Sequence, residues 1–470
     1  MEWQGKNVLV LGLGDTGLSA IRWLAQRGAR LRAADTRAAP PSLGALGNEQ
    51  PGVRVALGSF DETLLEGVDT VVASPGVALR EPLLRAAVAR GLEVIGDIEI
   101  FAREVARHSP GARVLGITGT NGKSTVTALA GAMGRAAGFD TTVAGNIGPP
   151  VLDALDKSRR DGVAASSPRL RGREAPSPLL YVIELSSYQL ETTSSLVLDA
   201  AAMLNLTQDH MDRYDSMEDY ARAKQRIFRH AHTRVVNRDD PWSSGMAGGE
   251  RTFTFGLGVP RSADAWGLDA GKTQILRGAA RIAELSAMPL TGLHNAANAM
   301  AAHALMSAID APPGALARTL TEFKGLEHRV EFVTEAKGVR FYDDSKGTNV
   351  GATVAALDGF RDPVVLIAGG DGKGQDFAPL APAVKSRARA VVLMGRDAPL
   401  IAAALAKSEV PLARVNSMQE AVEAAFAFAR PGDAVLLSPA CASFDMFRDY
   451  AHRGALFSIA ARALASREGS

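Results

Sequence analysis

Ten residues, GITGTNGKST at 116–125, place glycine, lysine and hydroxyl side chains between an apolar run and a helical pattern. The apolar run covers 114–117, and the helical pattern covers 126–133. A strand, a glycine-rich turn and a helix in this order direct backbone N–H groups and the helix N-terminus at anionic oxygen. Lys123 can then reach a terminal phosphate, and the Ser124 hydroxyl can ligate Mg²⁺. The stretch therefore predicts a nucleotide phosphate site on a parallel α/β sheet.

The spacing of this loop is unusual, because Ile117 stands five residues before Gly122 where common phosphate loops have glycine. The run TGTNGKS at 118–124 resembles the ATP loop of the Mur ligases and folylpolyglutamate synthetases. The alternative is a glycine turn followed by Lys-Ser by chance, and the agreement of strand, lysine, hydroxyl and helix disfavours it. We predict that the ATP-binding loop comprises Gly119, Thr120, Asn121, Gly122, Lys123, Ser124 and Thr125.

Composition excludes several classes of protein. The 470 residues are 46% hydrophobic and 22% charged, which is ordinary for a globular chain of two to four domains. A net charge of +1 gives no reason to expect nucleic acid as a partner. Cys441 is the only cysteine, so no intrachain disulfide or cysteine metal cluster can form. With no leader and no apolar run of membrane-spanning length, we expect a cytoplasmic protein without membrane insertion.

Alternation of strand-like and helical runs predicts three α/β domains. The first, 1–107, is expected to be Rossmann-like and to bind a UDP-linked substrate. The second, 108–325, carries the phosphate loop on a parallel sheet like that of P-loop ATPases. The third, 326–470, is again Rossmann-like, and the family resemblance described below implies that it binds an amino acid and closes over ATP. Within the second domain, 156–179 is rich in Arg, Ser, Pro and Gly, which predicts a mobile surface loop.

A second glycine motif lies near the N-terminus. Residues 12–17, GLGDTG, match G-x-G-x-x-G after a strand, and Asp35 follows at the spacing of a ribose-binding acid. By itself the motif indicates a dinucleotide-dependent dehydrogenase, or a purely structural turn. Such a turn accepts any diphosphate, however, and UDP-linked substrates carry one. Because the chain has a separate ATP loop, we favour a UDP-linked substrate together with ATP.

Polar residues that follow later strands predict a metal site. Glu184 ends an apolar strand, where a carboxylate can hold Mg²⁺. His210 lies between two acids after another strand and could ligate a second Mg²⁺. Ser216 is expected to cap the next helix, with Asp219 three residues on. That helix carries Lys224, which by itself would be interpreted as a solvated lysine.

Six further motifs follow one another in a single order. Together they resemble the D-glutamate-adding members of the Mur ligase family, and the resemblance covers all three predicted domains. The motifs are NLTQDHMDRY at 205–214, the helix lysine, GLHNAAN at 292–298, EHR at 327–329, DDSKGTN at 343–349 and SPACASFD at 438–445.

The resemblance implies a role for each matching residue. Lys123, Glu184, His210 and Lys224 are the implied catalytic residues, with Ser124, Glu184, His210 and a carbamylated Lys224 holding two Mg²⁺ ions. For ATP it adds Asn295 at the adenine, and Arg329 and Asp344 across a domain gap. For the UDP-substrate it implies Thr16, Asp35, Thr36, Arg37, Ser74, Gly76, Asn146 and Ser186. For D-glutamate it implies Lys346, Thr348, Lys373, Ser443 and Tyr450.

The implied reaction joins D-glutamate to UDP-N-acetylmuramoyl-L-alanine through an acyl phosphate formed from ATP, in a monomeric enzyme of peptidoglycan synthesis. Two residues depart from the family pattern, since Tyr450 replaces an expected phenylalanine and Asp15 an apolar residue. Three alternatives stay open: a dehydrogenase, a nucleotide-switch binding protein, and a sister ligase that adds L-alanine or a diamino acid. The last is disfavoured because the chain lacks the D-N-P-R run of the diaminopimelate-adding members.

Overall fold

The N-terminal part of the chain forms a parallel sheet with helices on both faces. The computed structural model describes residues 2–157, 177–290, 292–360 and 362–468. The five strands lie in the order β3-β2-β1-β4-β5. They are β1 (Asn7–Leu11), β2 (Arg30–Asp35), β3 (Arg54–Leu57), β4 (Thr70–Ala73) and β5 (Glu93–Ile95). The helices are α1 (Asp15–Ala25), α2 (Leu43–Glu49), α3 (Pro82–Ala89) and α4 (Asp97–His108), with a 3₁₀ turn at Glu62–Leu65. Because strand order reverses between β1 and β4, the loops after these strands border a crevice.

The central sheet has nine strands in the order β14-β13-β12-β11-β10-β9-β6-β8-β7, and β13 runs antiparallel to both of its neighbours. Its strands are β6 (Arg113–Thr118), β7 (Asp140–Gly145), β8 (Leu179–Glu184), β9 (Leu198–Met203), β10 (Ala231–Asn237), β11 (Arg251–Phe255), β12 (Ala265–Leu268), β13 (Gln274–Arg277) and β14 (Ala280–Glu284). Its helices are α5 (Lys123–Ala136), α6 (described over 151–157), α7 (Ser187–Glu191), α8 (Met217–Gln225), α9 (Pro241–Ser244), α10 (Leu293–Ala308) and α11 (Pro313–Glu322), with 3₁₀ turns at Arg226–Phe228 and Leu285–Ala287. Strand β6 pairs with β8 and β9, so the phosphate loop, Glu184 and the loop after β9 meet at one edge.

The C-terminal sheet has six strands in the order β15-β16-β20-β17-β18-β19, and only β15 runs antiparallel to its neighbour. The strands are β15 (Glu331–Ala336), β16 (Val339–Asp343), β17 (Val364–Ala368), β18 (Ala388–Leu393), β19 (Leu412–Arg414) and β20 (Ala434–Leu437). The helices are α12 (Val350–Gly359), α13 (Leu380–Arg387), α14 (Ala398–Leu405), α15 (Met418–Phe428) and α16 (Tyr450–Glu468). The three sheets confirm the predicted three-part α/β fold with two Rossmann-like ends and a central P-loop-type sheet.

Apolar runs become parallel strands here because both faces of each sheet are covered. In β1, Val8 and Val10 belong to one buried cluster, while Leu9 and Leu11 belong to another on the opposite face. All four side chains are at most 1% exposed. The polar residue of β1, Asn7, accordingly stands at the end of the strand.

The segment 156–179 differs in part from the predicted surface loop. Its first two residues extend α6, and Asp156 forms an ion pair at 3.5 Å with Arg27, which follows the end of α1. Its last residue, Leu179, begins β8. Residues 158–176, on which the prediction of a mobile loop rests, lie outside the described residues. No helix within the described ranges combines the length and the apolar character that a membrane span requires.

A buried carboxylate joins the N-terminal and central parts of the chain. Glu99 of α4 is 1% exposed. Its Oε2 accepts hydrogen bonds from the backbone N–H groups of Ser194 at 2.7 Å and Ser195 at 2.9 Å, and its Oε1 accepts one from Arg103. Burial raises the pKa of Glu99, but the hydrogen bonds from Ser194, Ser195 and Arg103 outweigh it, so the net pKa is lowered. Folding thus favours the ionised form of this carboxyl group.

We expect Glu99→Gln to lower the free energy of unfolding by roughly 1–3 kcal/mol at pH 7, because buried N–H donors lose a charged acceptor. A carboxyl group whose folded pKa is lowered stabilises the fold above its unfolded pKa, and this stabilisation disappears as pH falls through the folded pKa. The gap between wild type and Glu99→Gln should therefore shrink as the pH is lowered from 7 toward 3. Urea unfolding curves measured across this pH range provide the test.

The matched control is Glu62→Gln, which removes a carboxylate that is 64% exposed and pairs with Arg90 on the surface. Exposed ion pairs contribute little to stability, so this variant should stay within about 0.5 kcal/mol of wild type. A Glu99→Gln effect that is equally small, or that grows as pH falls, would contradict the assigned role of Glu99.

Candidate functional site

A cavity of about 720 Å³ lies between the central and C-terminal sheets. It collects predicted residues from loops that are far apart in the sequence. The predicted residues that line it are Thr120, Asn121, Gly122, Lys123, Ser124, Thr125, Asn146, Glu184, Ser186, His210, Lys224, Asn295, Arg329, Asp344, Lys346, Thr348 and Lys373. Gly119, Ser443 and Tyr450 are not among the lining residues. The cavity therefore brings the predicted ATP, metal and amino-acid residues to one place.

The phosphate loop after β6 turns through two backbone conformations that favour glycine. Gly119 has φ 149° and Gly122 has φ 83°, values that residues with a side chain rarely adopt. A Cβ atom at Gly122 would also lie 2.4 Å from Oδ1 of Asn298. The turn thus depends on glycine at both positions, and it places Lys123 at the first position of α5.

Two lysine side chains converge on one backbone carbonyl of this loop. Lys123 Nζ donates hydrogen bonds to the carbonyl oxygens of Gly119 at 2.9 Å and Thr120 at 2.8 Å. Lys224 Nζ donates to the same Gly119 oxygen at 2.8 Å. Burial lowers the pKa of Lys123, and it lowers the pKa of Lys224 well below its ordinary value. The positive charge of Lys123 lowers the pKa of Lys224 further. Lys224 is 2% exposed, so this amine is neutral far more readily than a surface lysine.

Glu184 ends β8 and lines the cavity, and only one of its two carboxylate oxygens accepts a hydrogen bond from the described residues. It is 1% exposed, and its Oε1 accepts a hydrogen bond from Asn146 Nδ2 at 2.7 Å. Its Oε2 is buried and has no hydrogen-bond partner among the described residues. A buried carboxylate oxygen without a partner is costly unless a cation binds it.

His210 follows β9 in a strained turn beside the carboxylate of Asp209. Its backbone has φ 60°, and its Nε2 lies 3.6 Å from Oδ2 of Asp209. The imidazole packs against the Tyr188 ring, with 5.0 Å between centroids. Burial lowers the pKa of His210 to about 4, against the opposing effect of Asp209. A neutral imidazole is the form that ligates metal ions.

These groups fit a divalent cation. The unpartnered Oε2 of Glu184, the neutral imidazole of His210 and the Ser124 hydroxyl are oxygen and nitrogen donors that line the same cavity. Lys224 is a buried amine with a lowered pKa, and a neutral amine is what reacts with CO₂ to give a carbamate. The chemistry of the donor set thus agrees with the implied metal site.

The C-terminal sheet contributes a guanidinium and a carboxyl group to the cavity. Arg329 Nη2 donates a hydrogen bond to Ser124 Oγ at 2.8 Å, so the C-terminal part touches the phosphate loop directly. Asp344 follows β16 and accepts a hydrogen bond from Ser438 Oγ at 2.7 Å. Burial raises the pKa of Asp344 to about 7. Arg329 thus contacts the phosphate loop in this arrangement, and Asp344 lines the same cavity.

The predicted amino-acid residues come from the C-terminal part of the chain, and three of them line the cavity. Lys346 Nζ lies 3.6 Å from the centroid of the Tyr450 ring, and burial lowers its pKa to about 8. Lys373 has φ 51° and follows the glycine turn after β17. Ser443 is 2% exposed, in the loop after β20, while Thr348 lines the cavity directly. Tyr450 contacts Lys346, although it does not line the cavity.

A second cavity, of about 630 Å³, lies in the crevice between β1 and β4. Its predicted lining residues are Thr16, Asp35, Thr36, Arg37, Ser74, Gly76 and Asn146. Ser186, predicted for the same substrate, lines the first cavity instead. Asn146 lines both cavities, so a long molecule in the second cavity would meet Glu184 and its neighbours at the far end.

The carboxylate of Asp35 has several partners in this arrangement. Arg37 donates hydrogen bonds to it from the side chain and backbone, and the Leu13 backbone N–H donates another at 2.7 Å. These interactions hold the pKa of Asp35 well below its usual range, with the Arg37 side chain as the largest cause. Asp35 therefore fixes the loops of the second cavity and offers them a permanent negative charge.

Sequence reasoning missed several polar residues of the site. Asn349 Nδ2 donates to Oδ1 of Asn121 at 3.0 Å, and Asn121 Nδ2 returns a bond to Oδ1 of Asn349 at 3.3 Å. Asn349 also caps α12, and N-cap preference for asparagine was a usable signal. Gln189 lines the second cavity and forms a capping box with Ser186, which the spacing S-x-x-Q indicates. Asn205 and Thr207 also line the first cavity, and they belong to the motif at 205–214, in which only His210 has a predicted role.

Comparison with protein families assigns each part of the chain. Residues 6–96 match the Mur ligase MurD-like N-terminal domain. Residues 117–306 match the Mur ligase middle domain. Residues 328–441 match the Mur ligase glutamate ligase domain. The three matches follow the order of the three sheets.

Curated proteins are similar over the whole chain. A UDP-N-acetylmuramoylalanine–D-glutamate ligase from Methylobacillus flagellatus is 53% identical over 473 residues, covering 100% of both chains. A ligase of the same name from Nitrosomonas europaea is 49% identical, covering 98% of this chain and 97% of that protein.

Solved structures share the fold at low sequence identity. The crystal structure of UDP-N-acetylmuramate-alanine ligase MurC from Thermotoga maritima has a TM-score of 0.59 at 18% identity, covering 98% of this chain and 99% of that chain. A crystal structure of MurF from Acinetobacter baumannii has a TM-score of 0.59 at 14% identity, covering 98% and 91%. The family models and the full-length relatives agree, and the chain therefore belongs to the Mur ligase family, in the branch whose curated members are named UDP-N-acetylmuramoylalanine–D-glutamate ligases.

Proposed function

We propose that this chain is an ATP-dependent ligase that joins the amine of D-glutamate to the terminal carboxylate of UDP-N-acetylmuramoyl-L-alanine. The observation that carries the proposal is the pair of cavities that meet at Asn146. One cavity has a diphosphate-type glycine turn, and the other has the phosphate loop and the Glu184 carboxylate. Full-length relatives bearing the name of this activity support the choice of substrates.

Three domains divide the work in this proposal. Residues 1–107 bind the UDP-substrate, 108–325 bind ATP, and 326–470 bind the amino acid and close over ATP. The UDP-substrate residues are Thr16, Asp35, Thr36, Arg37, Ser74, Gly76, Asn146 and Ser186. Because ATP and a UDP-linked sugar are cytoplasmic metabolites, the reaction takes place in the cytoplasm, and one chain contains every proposed residue, as a monomer requires.

In the proposed reaction, the substrate carboxylate takes the γ-phosphoryl group of ATP and becomes an acyl phosphate. The amine of D-glutamate attacks the acyl carbon, the amine nitrogen loses a proton, and the C–O bond to phosphate breaks, so that an amide, ADP, phosphate and a proton result. Lys123 and Arg329 face the phosphate groups, and Asn295 faces the adenine. Their work is placement and stabilisation of negative charge as it moves between oxygens.

Mur ligases use ATP together with Mg²⁺. When bound, the Mg²⁺ ion neutralises negative charge on the phosphate groups. We propose two such ions, held by Ser124, Glu184, His210 and the carbamate of Lys224. The unpartnered Oε2 of Glu184 and the lowered pKa values of His210 and Lys224 support this assignment. Carbamylation would replace a buried cation by an anion beside the phosphate loop.

D-glutamate brings two carboxylates and one amine to the end of the cavity where the C-terminal loops converge. Lys346 and Lys373 are the proposed cationic partners of its carboxylates, and Thr348 and Ser443 are neutral donors. Tyr450 holds the Lys346 side chain through the 3.6 Å contact with its ring.

The experiment that tests the proposed function is phosphate release from ATP with each UDP-muramoyl intermediate against a panel of amino acids. We expect release only with UDP-N-acetylmuramoyl-L-alanine together with D-glutamate. Release with UDP-N-acetylmuramate and L-alanine, or with a diamino acid, would assign the chain to a sister reaction. Binding of nucleotide without ADP release would favour a switch protein.

The carbamate assignment predicts that Lys224→Ala lowers kcat by roughly a hundredfold or more, since stabilisation of phosphate charge is lost. Acetate should restore part of the rate by replacing the missing carboxylate. Wild type in ¹³C-bicarbonate should show a carbamate carbon by NMR, and Lys224→Ala should not. Lys385→Ala, which changes an exposed lysine of α13, is the matched control and should behave as wild type. Full activity of Lys224→Ala in bicarbonate-free buffer would refute the assignment.

The amino-acid assignment predicts that Lys346→Met raises KM for D-glutamate, while KM for the UDP-substrate stays within about threefold. Loss of one partner of a buried charge pair costs roughly 2–5 kcal/mol, or about thirtyfold or more in KM. Lys337→Met removes a lysine that is 61% exposed and pairs with Glu468, and it should leave every KM unchanged. If Lys346→Met raises KM for ATP instead, the residue belongs to the nucleotide site.

A further inference from the structure

Arg213 is a buried cation that the proposed reaction does not use. It follows His210 by three residues in the loop after β9, and its side chain is only 10% exposed. A guanidinium is buried to this degree only where charged or polar groups surround it. Its partners therefore indicate what the loop holds together.

On one side, Arg213 binds the loop that follows β4. Its Nη1 donates a hydrogen bond to the Pro75 carbonyl at 2.8 Å, and its Nη2 donates to the Val77 carbonyl at 3.4 Å. Pro75 and Val77 line the second cavity, together with Ser74. The Ser74 hydroxyl donates to the Gly12 carbonyl at 2.9 Å, so the same loop is fixed to the glycine turn after β1.

On the other side, Arg213 contacts the first cavity. Its guanidinium lies over the Tyr188 ring at 3.8 Å from the centroid and donates to the Glu191 carboxylate at 2.8 Å. The Tyr188 ring in turn packs against the imidazole of His210, and both line the first cavity. The backbone N–H of Arg213 donates to the His210 carbonyl at 2.9 Å, which closes the strained turn.

We infer that Arg213 is a positioning residue that couples binding of the UDP-substrate in the second cavity to binding of nucleotide in the first. The inference rests on the proposed function for the identity of the two ligands. A diphosphate that restrains the loop 74–77 fixes the two carbonyls that hold the guanidinium. The guanidinium then fixes Tyr188 and the turn of His210. Because binding coupling is reciprocal, nucleotide in the first cavity must favour the UDP-substrate by the same factor.

Lysine cannot replace arginine at this position without loss. A planar guanidinium reaches two carbonyls and a carboxylate while it stacks on an aromatic ring, whereas an ammonium on a flexible stem cannot do all four. Arg80 provides a matched control, since it also crosses between the two parts and donates to the Asp212 carbonyl at 2.7 Å. Arg80 is 53% exposed, and its ion partner Asp215 is 93% exposed, so we expect it to contribute little to the coupling.

The test is calorimetric titration of the full chain with UDP-N-acetylmuramoyl-L-alanine and with a non-hydrolysable ATP analogue plus Mg²⁺, each alone and each in the presence of the other. In wild type we expect either ligand to tighten the other at least fivefold. In Arg213→Met the coupling factor, by which one ligand lowers the Kd of the other, should fall below twofold. The Kd of each ligand measured alone should change less than threefold. The coupling factor of Arg213→Lys should lie between those of wild type and Arg213→Met, and the coupling factor of Arg80→Met should equal that of wild type.

Absence of coupling in wild type, or full coupling in Arg213→Met, would overturn the inference. If Arg213→Met does not fold, Arg213→Lys decides, and a wild-type coupling factor in that variant overturns the inference equally. A loss of affinity for each single ligand with an unchanged coupling factor would mean that Arg213 is structural. Phosphate release by wild type is measured separately, so a chain that couples binding but releases no phosphate with D-glutamate contradicts the proposed function alone.

Discussion

The structure depends on one constraint, the convergence of two lysines on the Gly119 carbonyl at the end of β6. Burying Lys123 and Lys224 against a single backbone oxygen is unfavourable unless anions balance their charge. The phosphate loop can offer that oxygen only because Gly119 and Gly122 adopt backbone angles that other residues rarely reach. Every other loop of the first cavity is arranged around this cationic centre, with carboxylates of the neighbouring strand ends supplying part of the balance.

The N-terminal and C-terminal sheets complete a site that the central sheet forms only in part. The ends of β6, β8 and β9 meet at one edge of the sheet, and this edge holds the phosphate loop, Glu184 and His210, which are proposed to bind phosphate and metal ions. A reaction between two bound molecules also requires their reacting ends to be held together, and a single sheet edge gives no second wall. The N-terminal crevice meets the central edge through Asn146, and Arg329 closes the opposite side by its bond to Ser124.

Much of this could be predicted from the sequence, because the strongest signals are local. The apolar run of β6 and the turns at 12–17 and 116–125 fix their conformation through their own composition, and they lie where predicted. Contacts between distant loops leave no such pattern. Nothing near Asn121 indicates that Asn349 pairs with it, and nothing near Arg213 indicates that it reaches Pro75. The resemblance to a family supplied the role of Lys224, which composition alone describes as a solvated helix lysine.

The charges of the first cavity also account for the direction of its pKa shifts. Lys123, Lys224, Arg329 and Lys346 all have lowered pKa values, burial being the largest cause in each, while burial raises that of Asp344. Such shifts arise where the interior lacks the anions that would stabilise the cations. A polyanion such as ATP supplies that charge, and its binding favours the protonated forms of Lys123 and Lys346. Burial of unbalanced cations thus makes the first cavity favourable for a polyanion.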